Sequence, residues 1–201
     1  MFKKLFIRLY HLIAKTPSAW QEISNEQDRN NETFYNVYLF PAVGMIALCS
    51  FIIAVFFKSW DISMALKGVL KEVFIVGGSF YANVFIISRW IFPCVEIAPN
   101  RSLAERFTGY ASSLVFVLAM LNTLFSGLVF LAIISFYTFY IVWPGAVEFL
   151  KIDDKQVFCF SFLGKKYEWP ALPAFTFFAG TLLIFVPILL HFVIKIIMPN
   201  F

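Results

Sequence analysis

Long stretches without a charged residue are the main pattern along this chain, and short polar segments separate them. A helix of about 20 apolar residues crosses the hydrocarbon core of a bilayer, which is about 30 Å thick. Five stretches have that length or come close to it, so we predict an all-α, polytopic membrane fold. The predicted transmembrane helices cover residues 38–57, 70–92, 107–122, 127–144 and 170–194, in a membrane domain of residues 38–201.

For the second, third and fourth of these helices, the prediction needs more than an uncharged run of the right length. The uncharged run 73–88 has 16 residues, and it reaches full length if Arg89 extends its charge toward an interface while residues 90–92 stay helical. Residues 107–147 carry no charge and are twice as long as one span needs. We therefore predict two helices there, joined at the one central cluster of turn-forming residues, Asn122, Thr123, Ser126 and Gly127.

A second periodicity predicts an amphipathic helix over the first 15 residues. Apolar and basic positions each recur every three or four residues, which puts them on different faces of a helix. The apolar set is Phe2, Leu5, Phe6, Leu9, Leu12 and Ile13, and the basic set is Lys4, Arg8, His11 and Lys15. Such a helix suits the surface of an anionic bilayer, because basic groups meet the headgroups and apolar groups meet the acyl chains. Packing on the protein's own cytosolic surface is the alternative.

The rest of the N-terminal segment predicts a short helix and a linker. Thr16 and Pro17 fit an N-cap and a first-turn proline. Residues 25–36 are polar and lead into the membrane. We predict that residues 1–37 are cytosolic. The residues predicted at the membrane interface are Lys3, Lys4, Arg8, Lys15 and Trp20.

The composition favours a membrane protein, and the distribution of its charged residues predicts its orientation in the membrane. Apolar residues make up 61% of the chain and charged residues 14%, and this charged share is about half that of a soluble domain. With the N-terminus in the cytosol, the predicted cytosolic segments hold twelve of the 16 Lys and Arg residues, in agreement with the positive-inside rule. The C-terminus is then outside. This charge predicts anionic lipid as a partner, and it does not predict nucleic acid.

No group of residues has the pattern of an active site. The two histidines, His11 and His191, lack metal-ligand partners at helical spacing. Asp153 and Asp154 lie between lysines in a loop, where a solvated turn explains them better than acid–base catalysis. The three cysteines are far apart and form no metal-binding pair. We therefore predict no enzyme activity, no metal and no cofactor.

Small and neutral polar residues inside the predicted spans are the remaining candidates for a site. They are Gly77, Gly78, Ser79 and Asn83 in the second span and Asn122 at the predicted turn. Such residues let helices approach and hydrogen-bond to each other, but they can also line a pocket for a neutral solute or a lipid. In segment 157–162, alternating aromatic residues fit a short strand or a loop that dips into the interface. The sequence leaves both pairs of alternatives open.

Three segments carry a resemblance to a known family. Pro17, Trp20, Ile23 and Glu26 have the spacing P-x-x-W-x-x-I-x-x-E, after a basic amphipathic stretch and before a span. Together with Phe107–Leu114 (FTGYASSL) and Trp143–Lys155 (WPGAVEFLKIDDK), this pattern resembles the Yip family. Eukaryotic members of that family are five-span proteins that interact with Rab (Ypt) GTPases, and many bacterial members have no assigned activity.

Two departures from the family's pattern indicate its bacterial branch. Tyr110 is followed by alanine and two serines where a proline is expected, and the long soluble N-terminal region of eukaryotic members is missing. The resemblance therefore implies a bacterial cytoplasmic membrane. It implies a non-enzymatic protein that organises or recruits protein or lipid partners, with a protein partner or homo-oligomer among them. The alternatives are a small transporter or channel for a neutral or lipidic substrate, and an accessory subunit of a larger membrane complex.

Overall fold

The structure is a computed structural model, and it describes residues 2–26, 34–59, 61–125, 130–153, 155–162 and 165–197. This part of the chain is mostly helical, as predicted, with one two-stranded antiparallel hairpin. The helices are α1 (Phe2–Ala14), α2 (Thr16–Asn25), α3 (Tyr35–Phe56), α4 (Ile62–Cys94), α5 (Arg101–Ala111), α6 (Ser113–Leu124), α7 (Leu131–Phe149) and α8 (Ala171–Ile197). The strands are β1 (Val157–Phe162) and β2 (Lys165–Pro170).

Four of these helices, α3, α4, α7 and α8, are long and apolar enough to cross a membrane. Helices α5 and α6 pass the same test only together, and they are bent by 48° where they meet. The described residues therefore contain four candidate spans, or five if the bent pair is one span. Several apolar helices of this length are compatible with an integral membrane protein.

Three of the long helices, α3, α4 and α7, change hydrogen-bonding pattern along their length, and in α3 and α7 the helical turns extend slightly past the bounds given above. In α3, π-helical turns at Tyr35–Leu39 and Ala54–Ser59 flank the α-helical part Phe40–Ile53. In α4, the α-helix Ile62–Ile86 continues through a π-helical turn, Ile87–Ile91, to the short helix Phe92–Cys94. Helix α7 likewise consists of shorter pieces, with α-helix at Phe130–Ile134 and Tyr137–Pro144 and a π-helical turn at Gly145–Phe149.

The second span begins earlier than the sequence indicated. Asp61 caps α4, and its side chain accepts a hydrogen bond from the backbone amide of Ser63 at 2.8 Å. An N-cap of this kind pairs an amide that would otherwise lack a partner. Lys67, which precedes the predicted span 70–92, is therefore part of α4, as is Lys71. The sequence did not reveal this start because the charged residues of its first turns looked like loop.

The predicted turn between the third and fourth spans is wrong for its first two residues, Asn122 and Thr123. Helix α6 continues through Asn122 and Thr123 and ends at Leu124. The Thr123 hydroxyl donates to the carbonyl of Ala119 at 2.8 Å, which satisfies it within the helix. Ser126 and Gly127 lie outside the described residues. A separate bend of 48° lies earlier in the chain, at Ser112, between α5 and α6.

Strands β1 and β2 resolve the question about segment 157–162. They pair in antiparallel register, with Phe158 opposite Trp169 and Phe160 opposite Tyr167. Phe158 and Trp169 both stack on Phe178 of α8, with ring centroids 5.2 Å and 6.0 Å away. Phe158 and Phe160 are therefore on one face of a hairpin that packs against the first turns of α8.

The N-terminal segment is not separate from the helical bundle. Leu5, Leu9 and Leu12 of α1 are buried, and they belong to the same core cluster as Phe107 and Phe175. The Arg8 guanidinium pairs with the Glu26 carboxylate at 2.7 Å, which joins α1 to the end of α2. Helix α1 therefore packs on the protein through one face, the arrangement that the sequence left open as an alternative.

One local prediction for this segment is wrong. Thr16 does not cap α2, since its hydroxyl donates backward to the carbonyl of Leu12 at 2.8 Å. Pro17 does occupy the first turn, where its missing amide costs no hydrogen bond. The threonine thus completes the end of α1 instead of starting α2.

Candidate functional site

A cavity of about 460 Å³ lies between α4, α6, α7 and α8. Each helix contributes residues three or four positions apart, so that one face of each helix meets the others. Helix α4 contributes Glu72, Ile75, Val76, Ser79, Phe80 and Asn83, and α8 contributes Leu183, Ile184, Pro187, Ile188, His191 and Phe192. The remaining wall comes from the bend and α6, at Ser112, Val115, Phe116, Leu118, Ala119, Asn122 and Thr123, and from Leu131, Ala132 and Ser135 of α7.

The cavity extends over about half the thickness of a bilayer core. Glu72 and Asn83 are at its two ends on α4, and eleven residues of helix cover about 16 Å. The uncharged run 73–88 begins directly after Glu72. The predicted second span, residues 70–92, therefore has Glu72 close to its start and Asn83 deep inside it.

Three hydroxyls in the wall already have partners in their own helices. Ser79 donates to the carbonyl of Val76 at 2.9 Å, Thr123 donates to Ala119, and Ser135 donates to Ala132 at 2.6 Å. Such back-bonding satisfies a hydroxyl without a neighbour from another helix. These three side chains are therefore poor anchors for a ligand.

Asn83 differs from these hydroxyls. Its side chain is 2% exposed, and its Oδ1 atom has no hydrogen-bond partner. A buried polar atom without a partner costs about 1–3 kcal/mol, and most such atoms in proteins are paired. Because Asn83 lines the cavity, a molecule in the cavity can supply the missing donor.

Glu72 and His191 bring ionisable groups to the cavity from two different helices, α4 and α8. The sequence pointed to His191 alone and not to Glu72, because helical spacing relates residues only within one helix. The spacing did hold a signal, since Glu72, Ser79 and Asn83 repeat at helical intervals along one face of α4. In the part of the chain that the structure describes, no three His, Cys, Asp or Glu side chains are grouped to hold a metal ion.

The structure brings three of the five predicted intramembrane residues together. Ser79, Asn83 and Asn122 line the cavity. Gly77 and Gly78 do not: a Cβ at Gly78 would lie 3.5 Å from Leu190 of α8, and a Cβ at Gly77 would meet nothing within 4 Å. Both glycine positions have room for a methyl group, so close helix packing does not require glycine at either one, while the cavity accounts for the polar residues.

The predicted interface residues fall into two groups. Lys3, Lys4 and Lys15 are exposed, as an interfacial role requires. Arg8 is partly buried and paired with Glu26. Trp20 is 0% exposed, so it contacts protein and not the membrane interface, which corrects the prediction for this residue.

Trp20 is the centre of an aromatic cluster that holds α2 against the bundle. Its Nε1–H donates to the carbonyl of Ile141 at 2.9 Å. Its ring centroid is 5.7 Å from those of both Phe107 and Phe149. A Cβ at Gly145 would come within 2.7 Å of the indole, so only glycine lets α7 approach this closely. Trp20 and Gly145, which belong to two of the segments that resemble the Yip family, therefore contact each other.

Helix α1 keeps a second apolar face that the protein does not cover. Phe2, Phe6 and Tyr10 are about half exposed or more, next to the buried leucines. The exposed lysines, Lys4 and Lys15, lie on the other side of the helix. The helix therefore presents apolar and basic surfaces beside the bundle.

Comparison of the chain with family models, with curated proteins and with solved structures finds no match. The resemblance to the Yip family, its GTPase partners and its bacterial branch therefore stay predictions.

Proposed function

We propose that this protein is a non-enzymatic integral membrane protein that binds a neutral, lipid-like molecule in the cavity between α4, α6, α7 and α8. The observation that carries the proposal is the unpaired Oδ1 of the buried Asn83 at the deep end of that cavity. Hydrocarbon supplies no water to pair such an atom inside a candidate span, so a molecule bound in the cavity is a source of the missing donor.

The shape and chemistry of the cavity favour a lipid-like ligand. Its walls are mostly apolar, with a few polar groups, and its volume of about 460 Å³ falls in the range of about 300–1,000 Å³ that is usual for ligand pockets. A whole phospholipid with two acyl chains is larger than this space. A single chain with a small polar group fits it better.

A binding role has more support than ion-coupled transport. Phe80 and Asn83 line the cavity within the uncharged run 73–88 of α4. Coupled transporters place ionisable groups near mid-depth, where a proton or ion can be exchanged. Here Glu72 and His191 are at the far end from Asn83 along their helices, beside the predicted interface.

The proposal takes the bent pair α5–α6 as one of five spans. Helix α6 has 12 residues and covers about 18 Å, which is too short to cross alone. Apolar residues of α5 near the bend complete the length. Five spans and the positive-inside rule then put α1 and α2 on the cytosolic side of the membrane and the C-terminus outside.

Filling the cavity tests this function. We expect Ala119→Phe to abolish retention of a lipid-like molecule by the gently purified full-length protein, because the new ring occupies the space between α4, α6 and α8. Native mass spectrometry, followed by extraction and identification of the bound molecule, measures it. The matched control is Leu70→Phe on α4, at a side chain that is 49% exposed and outside the cavity. A wild-type protein that retains no such molecule, or equal retention by the Ala119 variant, would contradict the proposal.

The second candidate function is organisation of lipid or protein partners at the membrane surface. It is favoured by α1, which Leu5, Leu9 and Leu12 hold on the protein while Phe2, Phe6 and the lysines stay exposed. An apolar and basic helix of this kind binds anionic bilayers. The aromatic cluster around Trp20 fixes the helix pair in place for such contact.

Reversing the exposed charges tests this second function. We expect Lys3→Glu, Lys4→Glu and Lys15→Glu together to remove the extra thermal stability that anionic lipid gives the full-length protein over zwitterionic lipid, since each basic group near such a surface contributes about 1 kcal/mol. Arg8 is left unchanged because it pairs with Glu26. Lys67→Glu, an exposed position on α4, is the control. Unchanged lipid dependence in the triple variant would exclude the lipid-surface role of α1.

A further inference from the structure

The hydrogen-bonding groups at the Asn83 end of the cavity define which polar group a ligand can place there. From the geometry we infer that the bound molecule is a long-chain alcohol, whose hydroxyl donates a hydrogen bond to Oδ1 of Asn83. This inference rests on the proposed function and deepens it. It follows from the missing hydrogen-bond donor to Asn83 and from the hydrogen bonds that the hydroxyls of the cavity wall already make.

The missing partner must be a donor. Oδ1 of an asparagine is a carbonyl oxygen, which accepts hydrogen bonds and cannot give one. In the described residues no protein group donates to it. A ligand that offers only acceptors, such as an ether or an ester, would leave this atom unpaired.

The donor must also be uncharged. On α4, the nearest carboxylate in the cavity wall is that of Glu72, which is eleven residues of helix, or about 16 Å, away from Asn83. A cation that buries itself at this depth would lose its hydration and gain one carbonyl oxygen, which does not compensate for that loss. Ammonium headgroups are therefore excluded from the Asn83 end.

A hydroxyl suits this place better than an amide. A primary amide brings two N–H donors and a carbonyl oxygen, whereas Oδ1 of Asn83 needs a single donor. The hydroxyls of Ser79, Thr123 and Ser135 already donate to their own helices, and burying the surplus polar groups of an amide costs free energy. An alcohol brings one strong donor, and its chain fits the apolar middle of the cavity, between Ile75, Val76 and Leu183.

A matched pair of ligands isolates the donor proton. The full-length protein in detergent is offered 1-hexadecanol and its methyl ether in equal amounts, and native mass spectrometry measures the ratio of the two complexes. The compounds share the chain and the oxygen, and only the alcohol can donate. We expect the wild-type protein to prefer the alcohol by about tenfold, the effect of one buried hydrogen bond.

Matched protein variants then locate the acceptor. Asn83→Leu keeps the approximate volume of the side chain and removes its carbonyl oxygen, so we expect the preference for the alcohol to disappear. Asn122→Leu makes the same change at another residue of the cavity wall, one that is exposed, and should leave the preference intact. Asn83→Ala provides a second test of the same loss if the leucine variant does not fold.

The outcomes separate this inference from the proposed function. Equal binding of alcohol and ether by the wild-type protein, or a preference that survives Asn83→Leu, overturns the assignment of the hydroxyl to Asn83. In that case a water molecule pairs with Oδ1, and a lipid-like ligand can still occupy the cavity. Binding of neither compound, together with a wild-type protein that retains no lipid-like molecule in the Ala119 experiment, overturns the proposed function as well.

Discussion

Replacing Trp20 with alanine is expected to detach α2 from the bundle and to destabilise the protein by about 3–5 kcal/mol, the usual cost of truncating a fully buried aromatic residue. Trp20 is 0% exposed, it contacts the rings of Phe107, Tyr110 and Phe149, and it bonds to the carbonyl of Ile141. The alanine would leave a cavity and an unpaired carbonyl. Thermal unfolding in detergent, together with limited trypsin digestion at Lys15, measures both effects.

Two further variants separate the causes. Trp20→Phe keeps part of the ring packing and removes the Nε1–H donor, so we expect an intermediate loss of stability. Trp90→Ala truncates the same type of residue at a position that is 69% exposed, and it should change little. Equal effects at Trp20 and Trp90, or no increase in digestion at Lys15, would show that Trp20 does not hold the N-terminal helices in place.

Substituting alanine for Gly145 is expected to destabilise the protein by about 1–3 kcal/mol, the range for an overpacked core. The new methyl group would lie 2.7 Å from Cε2 and Cζ2 of the Trp20 indole. The indole cannot retreat easily, because it is buried and hydrogen-bonded. Denaturant-induced unfolding in detergent measures the change.

The same substitution at Gly77 should act in the opposite direction. A Cβ there meets nothing within 4 Å, and alanine in a helix is more favourable than glycine by about 0.5–1 kcal/mol. Combining Gly145→Ala with Trp20→Phe should cost less than the sum of the two changes, since the smaller ring makes room for the methyl group. Additive effects would mean that the two residues do not contact each other.

The apolar helices were predictable because their signal is local. An uncharged run of bilayer length needs no partner to be recognised, and α3 and α8 agree closely with the spans predicted at 38–57 and 170–194. The bend at Ser112 and the early start of α4 were not predictable in this way. A serine and a capping aspartate have the same local appearance in many loops and helices.

The cavity was only partly predictable, since helix arrangement decides which faces meet. Ser79, Asn83 and Asn122 stood out as polar residues in apolar stretches, but whether they packed or lined a space depended on α6 and α8. His191 was not associated with Glu72, because no periodicity links residues of two separate helices. Trp20 was assigned to the membrane interface for a similar reason: its slot is formed by Phe107, Ile141 and Gly145, which are distant in sequence.

The cavity and its ligand are most directly tested by electron cryomicroscopy of the full-length protein in a lipid nanodisc, with a rigid antibody fragment bound to aid alignment. We predict one elongated density between α4, α6 and α8 that ends at the amide of Asn83. A cavity closed by the surrounding side chains, or one that holds only separate water molecules, would contradict the proposed function.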